Sequence, residues 1–109
     1  MTVGDLLKCG AFSELALPHP ERAISGVYIG DLLSWVMGRA ECDNAWITIM
    51  SNINVIAVAS LVDTSCIILA EGVTVNEDIL NTAKEKEVNI LTTELTVYEA
   101  AVKLASMNI

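Results

Sequence analysis

Basic residues are scarce in this sequence. Lysine and arginine total 6 against 14 aspartates and glutamates, and the 109-residue chain carries a formal net charge of −8. Such a charge repels phosphate backbones and anionic headgroups, which removes nucleic acids and membrane surfaces from the expected partners. Histidine is limited to His19, and the cysteines Cys9, Cys42 and Cys66 are odd in number and too far apart for a C-x-x-C pair. No metal centre is expected from ligands so few and so spaced, and the thiols read as reduced structural groups, Cys66 within the apolar run Cys66-Ile67-Ile68-Leu69 above all. The phosphate loops G-x-x-x-x-G-K-[ST] and G-x-G-x-x-G are missing, as is the G-x-S-x-G nucleophile turn. Kinase, nucleotide-hydrolysing and serine-hydrolase chemistry are therefore not expected, nor is a cofactor. No basic segment leads into a long apolar run at the N-terminus, so the expected location is the cytoplasm.

What is abundant is apolar sequence. Hydrophobic residues make up 53% of the chain and mean hydropathy is +0.53, against roughly 45–50% apolar residues in typical globular domains. Residues 1–109 read as one domain. A chain of this size buries only about two-thirds of its unfolded surface, so the surplus points to a partner. Its largest block is the uncharged run from Asn44 to Val62, close to the length of a membrane span. Asn44, Thr48, Ser51, Asn52, Asn54 and Ser60 interrupt that run, and unsatisfied polar groups in hydrocarbon are costly. A strand feeding a buried helix fits better.

From Asp43 onward the pattern is βαβαβα, with strands at Trp46–Met50, Cys66–Ala70 and Val88–Leu91. The second strand is apolar at every position, as in a parallel sheet covered on both faces. Thr96-x-x-Glu99 is a capping box opening a helix with Val97, Ala100, Ala101, Leu104 and Ala105 on one stripe, and Glu99 and Lys103 paired on the other side. Thr74-x-x-Glu77 reads as a second box, with Ile79, Leu80 and Ala83 inward. The helix Ile53–Leu61 is apolar in every direction and must be covered all round. Before Asp43 the expected elements are a helix over Thr2–Lys8 capped by Thr2, strands at Leu15–Leu17 and Gly26–Ile29 around a Pro18-His19-Pro20 turn, and a helix capped by Asp31 and ended by Gly38.

In a parallel α/β sheet the default ligand crevice lies beyond the carboxyl ends of the strands. The candidates there are Ser51, Asn52 and Asn54, then Glu71, then Thr92 and Thr93. Their hydroxyls, amides and helix N-termini can take an anion; equally, these residue types cap helices and make turns. Glu71 and Glu94 oppose an anion, and a pair of carboxylates such as these is what a hidden activity would use.

The segment Glu21-Arg22-Ala23-Ile24-Ser25-Gly26-Val27-Tyr28-Ile29-Gly30-Asp31-Leu32-Leu33-Ser34 resembles the signature of the DRTGG domain. Arg22 and Gly26 match outright, while Glu21 stands for Asp, Ser25 for Thr and Val27 for the second Gly. Ala45–Ile49, Asn54–Leu61, Ile90–Leu95 and the closing helix follow in the family's order. The resemblance implies a three-layer α/β fold with a mostly parallel sheet, similar to the N-terminal domain of HPr kinase/phosphorylase but without its kinase domain. It also implies a regulatory or dimerising module that is not itself a catalyst, found beside other domains or alone, with a redox enzyme or another metabolic enzyme complex as a possible associate.

Two functional readings follow. In the first the chain is a non-enzymatic module that forms a homodimer through Trp35 or through the all-apolar helix, with Ile53, Val55, Ile56 and Val58 at the interface. In the second it senses a nucleotide or phosphometabolite at the strand ends, with Arg22, Ser25 and Gly26 folding over the crevice. Arg22 has two roles open to it, bracing the turn through an acidic side chain or binding an anion bidentately.

Overall fold

Strand residues point alternately to two faces, and in this chain both faces are apolar. The computed structural model, which describes residues 1–109, runs α1 (Val3–Leu7), β1 (Ser13–Ala16), β2 (Val27–Ile29), α2 (Leu33–Arg39), β3 (Ala45–Thr48), α3 (Ile53–Val62), β4 (Cys66–Leu69), α4 (Glu77–Glu85), β5 (Ile90–Thr92) and α5 (Val97–Ser106). The five strands form one sheet in the order β1-β5-β4-β3-β2. Strands β2 to β5 are parallel, with Tyr28 opposite Trp46 and Ile47 opposite Ile68, and β1 joins the edge antiparallel to β5.

Because β2, β3, β4 and β5 follow one another across the sheet, three crossovers of the same hand place α2, α3 and α4 on one face. Trp46, Ile67, Leu69 and Ile90 turn to that side and pack with Val36, Val55, Ile56, Ala59, Ile79 and Ala83. Ala45, Ile47, Cys66, Ile68 and Leu91 turn the other way and meet Val3, Leu6, Ala100 and Leu104 of α1 and α5. The result is a three-layer α/β/α domain. Trp46 is fully buried and its indole N–H donates to the Gly30 carbonyl at 2.9 Å, so burial leaves no polar atom orphaned.

This arrangement corrects the expected dimer surface. Val55, Ile56 and Val58 are buried within the chain itself. The sheet covers one side of α3, and α2 and α4 flank it on the same layer, so a helix apolar all round needs no second subunit to cover those positions. Ile53, Ala57 and Leu61 remain open on its outer side, and Trp35 is about half exposed with the Arg39 guanidinium 3.8 Å above its ring.

Several element ends also differ from expectation. Helix α4 is capped by Asn76, whose side chain accepts from the Ile79 N–H, and not by Thr74. Asp31 does not cap α2: its carboxylate accepts from the Thr48 hydroxyl at 2.7 Å and the Ile49 N–H at 3.1 Å, and the helix starts without a side-chain cap. Gly38 lies inside α2. Strand β5 begins at Ile90, after Val88 and Asn89, and β1 ends at Ala16. The capping boxes at Thr2 with Asp5 and Thr96 with Glu99 both form. Glu99 serves that cap while Lys103 makes no ion pair in the chain, so the expected Glu99–Lys103 bridge is not made.

Candidate functional site

Arg22 is fixed before its side chain makes any contact. Its carbonyl accepts from the Val3 N–H, and the adjoining Ile24 N–H donates to Met1, which pins this segment to the N-terminus. From there the guanidinium reaches two aspartates. Nε and Nη2 donate to Asp43 Oδ1 at 3.1 and 2.9 Å, Nη1 lies 2.7 Å from Asp63 Oδ1, and Nη2 donates to the Asp63 carbonyl at 2.6 Å. Both aspartates have left-handed backbones, with φ of 67° at each, a conformation in which Asp is among the tolerated residues. Asp63 is the C-cap of α3, and its carbonyl also accepts from the Asp43 N–H at 2.9 Å. One side chain thus ties the end of α3 to the entrance of β3.

The electrostatics match the geometry. The Arg22 hydrogen bond holds the Asp63 carboxyl below its ordinary range, and the same contact raises Arg22 further above neutrality. Beside them, desolvation and the charge of Asp43 raise the Cys42 thiol, so it is not an activated thiolate. Cys66 is fully buried and pushed up to about 12 by burial. No three His, Cys, Asp or Glu side chains gather in a way that could hold a metal ion.

Gly26 belongs to this same end. Its φ is +98°, and a Cβ there would sit 3.2 Å from Asn44 Nδ2. Asn44 is buried and its amide is engaged with the Ser25 carbonyl and the Glu41 N–H. Ser25 is exposed and its N–H donates to the Asp43 carbonyl. Arg22, Ser25 and Gly26 therefore lie at the amino edge of the sheet. The strand-end crevice is at the carboxyl edge, and the expectation that these residues fold over it is overturned by the topology.

At the carboxyl edge most polar groups are already employed. Asn52 caps α3 through the Asn54 N–H. The Thr92 hydroxyl donates to the Val73 carbonyl, and buried Thr93 donates to the Ala11 carbonyl while accepting from the Leu95 N–H. Glu71 and Gly72, both with positive φ, donate their N–H groups to the carbonyls of Leu95 and Thr93 and so zip two loops together. Glu94 lies against Gly72, where a Cβ would come within 2.6 Å of its Oε2. Asn54, Glu71 and Glu94 are exposed, and Ser51 is half-buried. Between Ser51, Asn52, Val55, Val75 and Ile79 there is a recess of only ≈ 10 Å³, about the space one water requires.

The family model of the DRTGG domain matches residues 25–107. The chain belongs to the DRTGG domain family. Its match starts at Ser25, so Glu21 and Arg22 stand outside the matched residues, and the role of Arg22 rests on the clasp geometry. The solved CBS and DRTGG domains of the regulatory region of Clostridium perfringens pyrophosphatase, complexed with the activator diadenosine tetraphosphate, share this fold at a TM-score of 0.75 and 15% identity. The likeness covers 92% of this chain and 44% of that one, so this DRTGG chain spans less than half of its structural neighbour. No curated protein matches it in sequence.

Sequence reasoning missed Asn89, a buried side chain that makes three hydrogen bonds. It accepts from the His19 N–H at 2.9 Å, and donates to the carbonyls of His19 and Ser65 at 2.7 and 3.0 Å. The Pro18-His19-Pro20 turn is thereby clamped, and His19 is held between Glu21 and Glu87. It also missed the outer face of α5. Tyr98 is 77% exposed and Val102 49%, and with Leu95, Glu99, Lys103 and Ser106 they line a shallow groove of ≈ 330 Å³. Ile29, Leu32, Trp35, Met37, Ile49 and Ile53, on or near β2, α2 and the start of α3, are also exposed.

Proposed function

We propose that this DRTGG domain is a regulatory module that acts by associating with a second copy of itself and carries out no catalytic step. Membership of the family, and a structural neighbour that is part of a regulatory region, support the regulatory role. The observation that carries the mode of action is a contrast within the chain. Polar groups at the strand ends are largely committed to its own backbone, whereas large apolar side chains on α2 and α5 are left in water. Exposed apolar surface rimmed by polar residues is the mark of a protein contact. Light scattering across a concentration series tests this: a mass of two chains is expected, and a monomer at the highest concentration refutes it.

A second reading is favoured by one observation, the adenine dinucleotide held by the neighbour's regulatory region. In that reading Ser51, Asn54 and the loops at Glu71 and Thr92 take a nucleotide or phosphometabolite. A ligand at 100 times its dissociation constant adds about 2.7 kcal/mol to stability, which thermal denaturation resolves. A panel of dinucleoside polyphosphates and adenine nucleotides that leaves the melting temperature unchanged eliminates it.

A further inference from the structure

We infer that α5 is the surface on which two copies of this chain meet, packed antiparallel about a two-fold axis; this rests on the self-association reading above. A contact with such symmetry must be self-complementary. The α5 residues lining the groove include two pairs, each spaced i, i+4: the exposed Tyr98 and Val102 along one flank, and the exposed Glu99 with the half-buried Lys103 along the other. In an antiparallel two-fold packing each flank meets the same flank of the other copy. Tyr98 then lies against Val102 of the second copy, and Glu99 against its Lys103, twice over. Lys103 makes no ion pair in its own chain and is free for this one. The charges matter because each chain carries −8. Two such chains repel, and a contact between them must bring its own cations. The α5 face brings one carboxylate and one ammonium from each copy. The Trp35 surface lacks this property: its cation, Arg39, is already stacked on the Trp35 ring.

The test is a charge-swap experiment read by light scattering and sedimentation, with circular dichroism to confirm folding. Glu99→Lys puts ammonium against ammonium across the axis, and Lys103→Glu puts carboxylate against carboxylate. Each variant alone is expected to dissociate at least about tenfold more readily than the unaltered chain. An equimolar mixture of the two is expected to regain the two-chain mass, since each lysine then meets a glutamate. Glu99 also caps α5, so Val102→Glu, which leaves the cap intact, provides an independent disruption. If the unaltered chain is dimeric and these variants dimerise equally well, or if Trp35→Glu dissociates the dimer and Val102→Glu does not, α5 is not the contact. If the unaltered chain is monomeric throughout, the self-association reading itself fails, a different result from the first.

Discussion

Replacing Arg22 separates a brace from a ligand-binding arginine. Its side chain is three-quarters buried, while those of Asp43 and Asp63 are 41% and 62% exposed. Ion pairs so open to water are worth roughly 0.5–1 kcal/mol each. The charge-assisted bond to the Asp63 carbonyl adds about 1.5 kcal/mol, and the packed stem a fraction more. Arg22→Ala should therefore lower unfolding free energy by about 3 kcal/mol. In Arg22→Lys a single ammonium cannot span both carboxylates and the carbonyl, because the three nitrogens of the guanidinium are shared out between them. That variant should still lose about 2 kcal/mol. Urea denaturation followed by circular dichroism reports both values as midpoint shifts at constant slope. The pH dependence provides a second readout. Asp63 titrates below its ordinary value in the folded chain, so its contribution is present above the unfolded pKa and is lost as pH falls through the folded one. Removing Arg22 should flatten the acid limb of the stability curve. An Arg22→Ala protein within about 0.5 kcal/mol of the parent, with an unchanged acid limb, would refute the clasp.

Other parts of the fold give independent expectations. Asn89→Leu deletes three hydrogen bonds from a buried side chain, to the His19 N–H and to the His19 and Ser65 carbonyls, of which the His19 carbonyl keeps the Arg22 N–H; at about 1 kcal/mol per bond the loss should be about 3 kcal/mol, and a thermal melt unchanged from the parent would contradict it. The buried Thr64 hydroxyl has no hydrogen-bond partner, so Thr64→Val should be neutral or stabilising by up to about 1 kcal/mol in urea melts. The hydrogen bond with Glu21, and then that with Glu87, raises the His19 imidazole above its ordinary range. Its stabilising contribution is thus full below the unfolded pKa and disappears as pH rises through the folded one. An NMR titration should place His19 above the ordinary imidazole value, and Glu21→Gln with Glu87→Gln should bring it back.

The parts of the fold legible in sequence are those set by short-range pattern. Strands β3 and β4 show as apolar runs, and α5 begins at the capping box that Thr96 and Glu99 announce. Competition between neighbouring caps shifted other boundaries. Thr74 and Asn76 are both good N-cap types, and the helix starts at the second; Asp31 has the right chemistry for a cap, but Thr48 and Ile49 claim its carboxylate. Contacts distant in sequence left no local trace. Arg22 reaches Asp43 and the Asp63 carbonyl across 21 and 41 residues, and Asn89 reaches His19 across 70. The surroundings of α3 were hidden for the same reason, since its flanking helices are known only once strand order is known.

Strand order also bears on what kind of regulator this domain can be. Where a parallel sheet reverses direction, neighbouring loops diverge and a crevice opens between them. Here β2 to β5 advance without reversal, and the loops after β4 and β5 are drawn together by the Glu71 and Gly72 N–H groups. The carboxyl edge consequently holds a recess for about one water, far below the roughly 300 Å³ at which small-molecule pockets begin. A nucleotide has no enclosed site within one copy, so a sensing role would need walls contributed by a second surface. Sensing and association are then not independent alternatives. Association is the more primitive requirement, and the proposed α5 contact, half apolar and half polar, would meet it without rearrangement of the core.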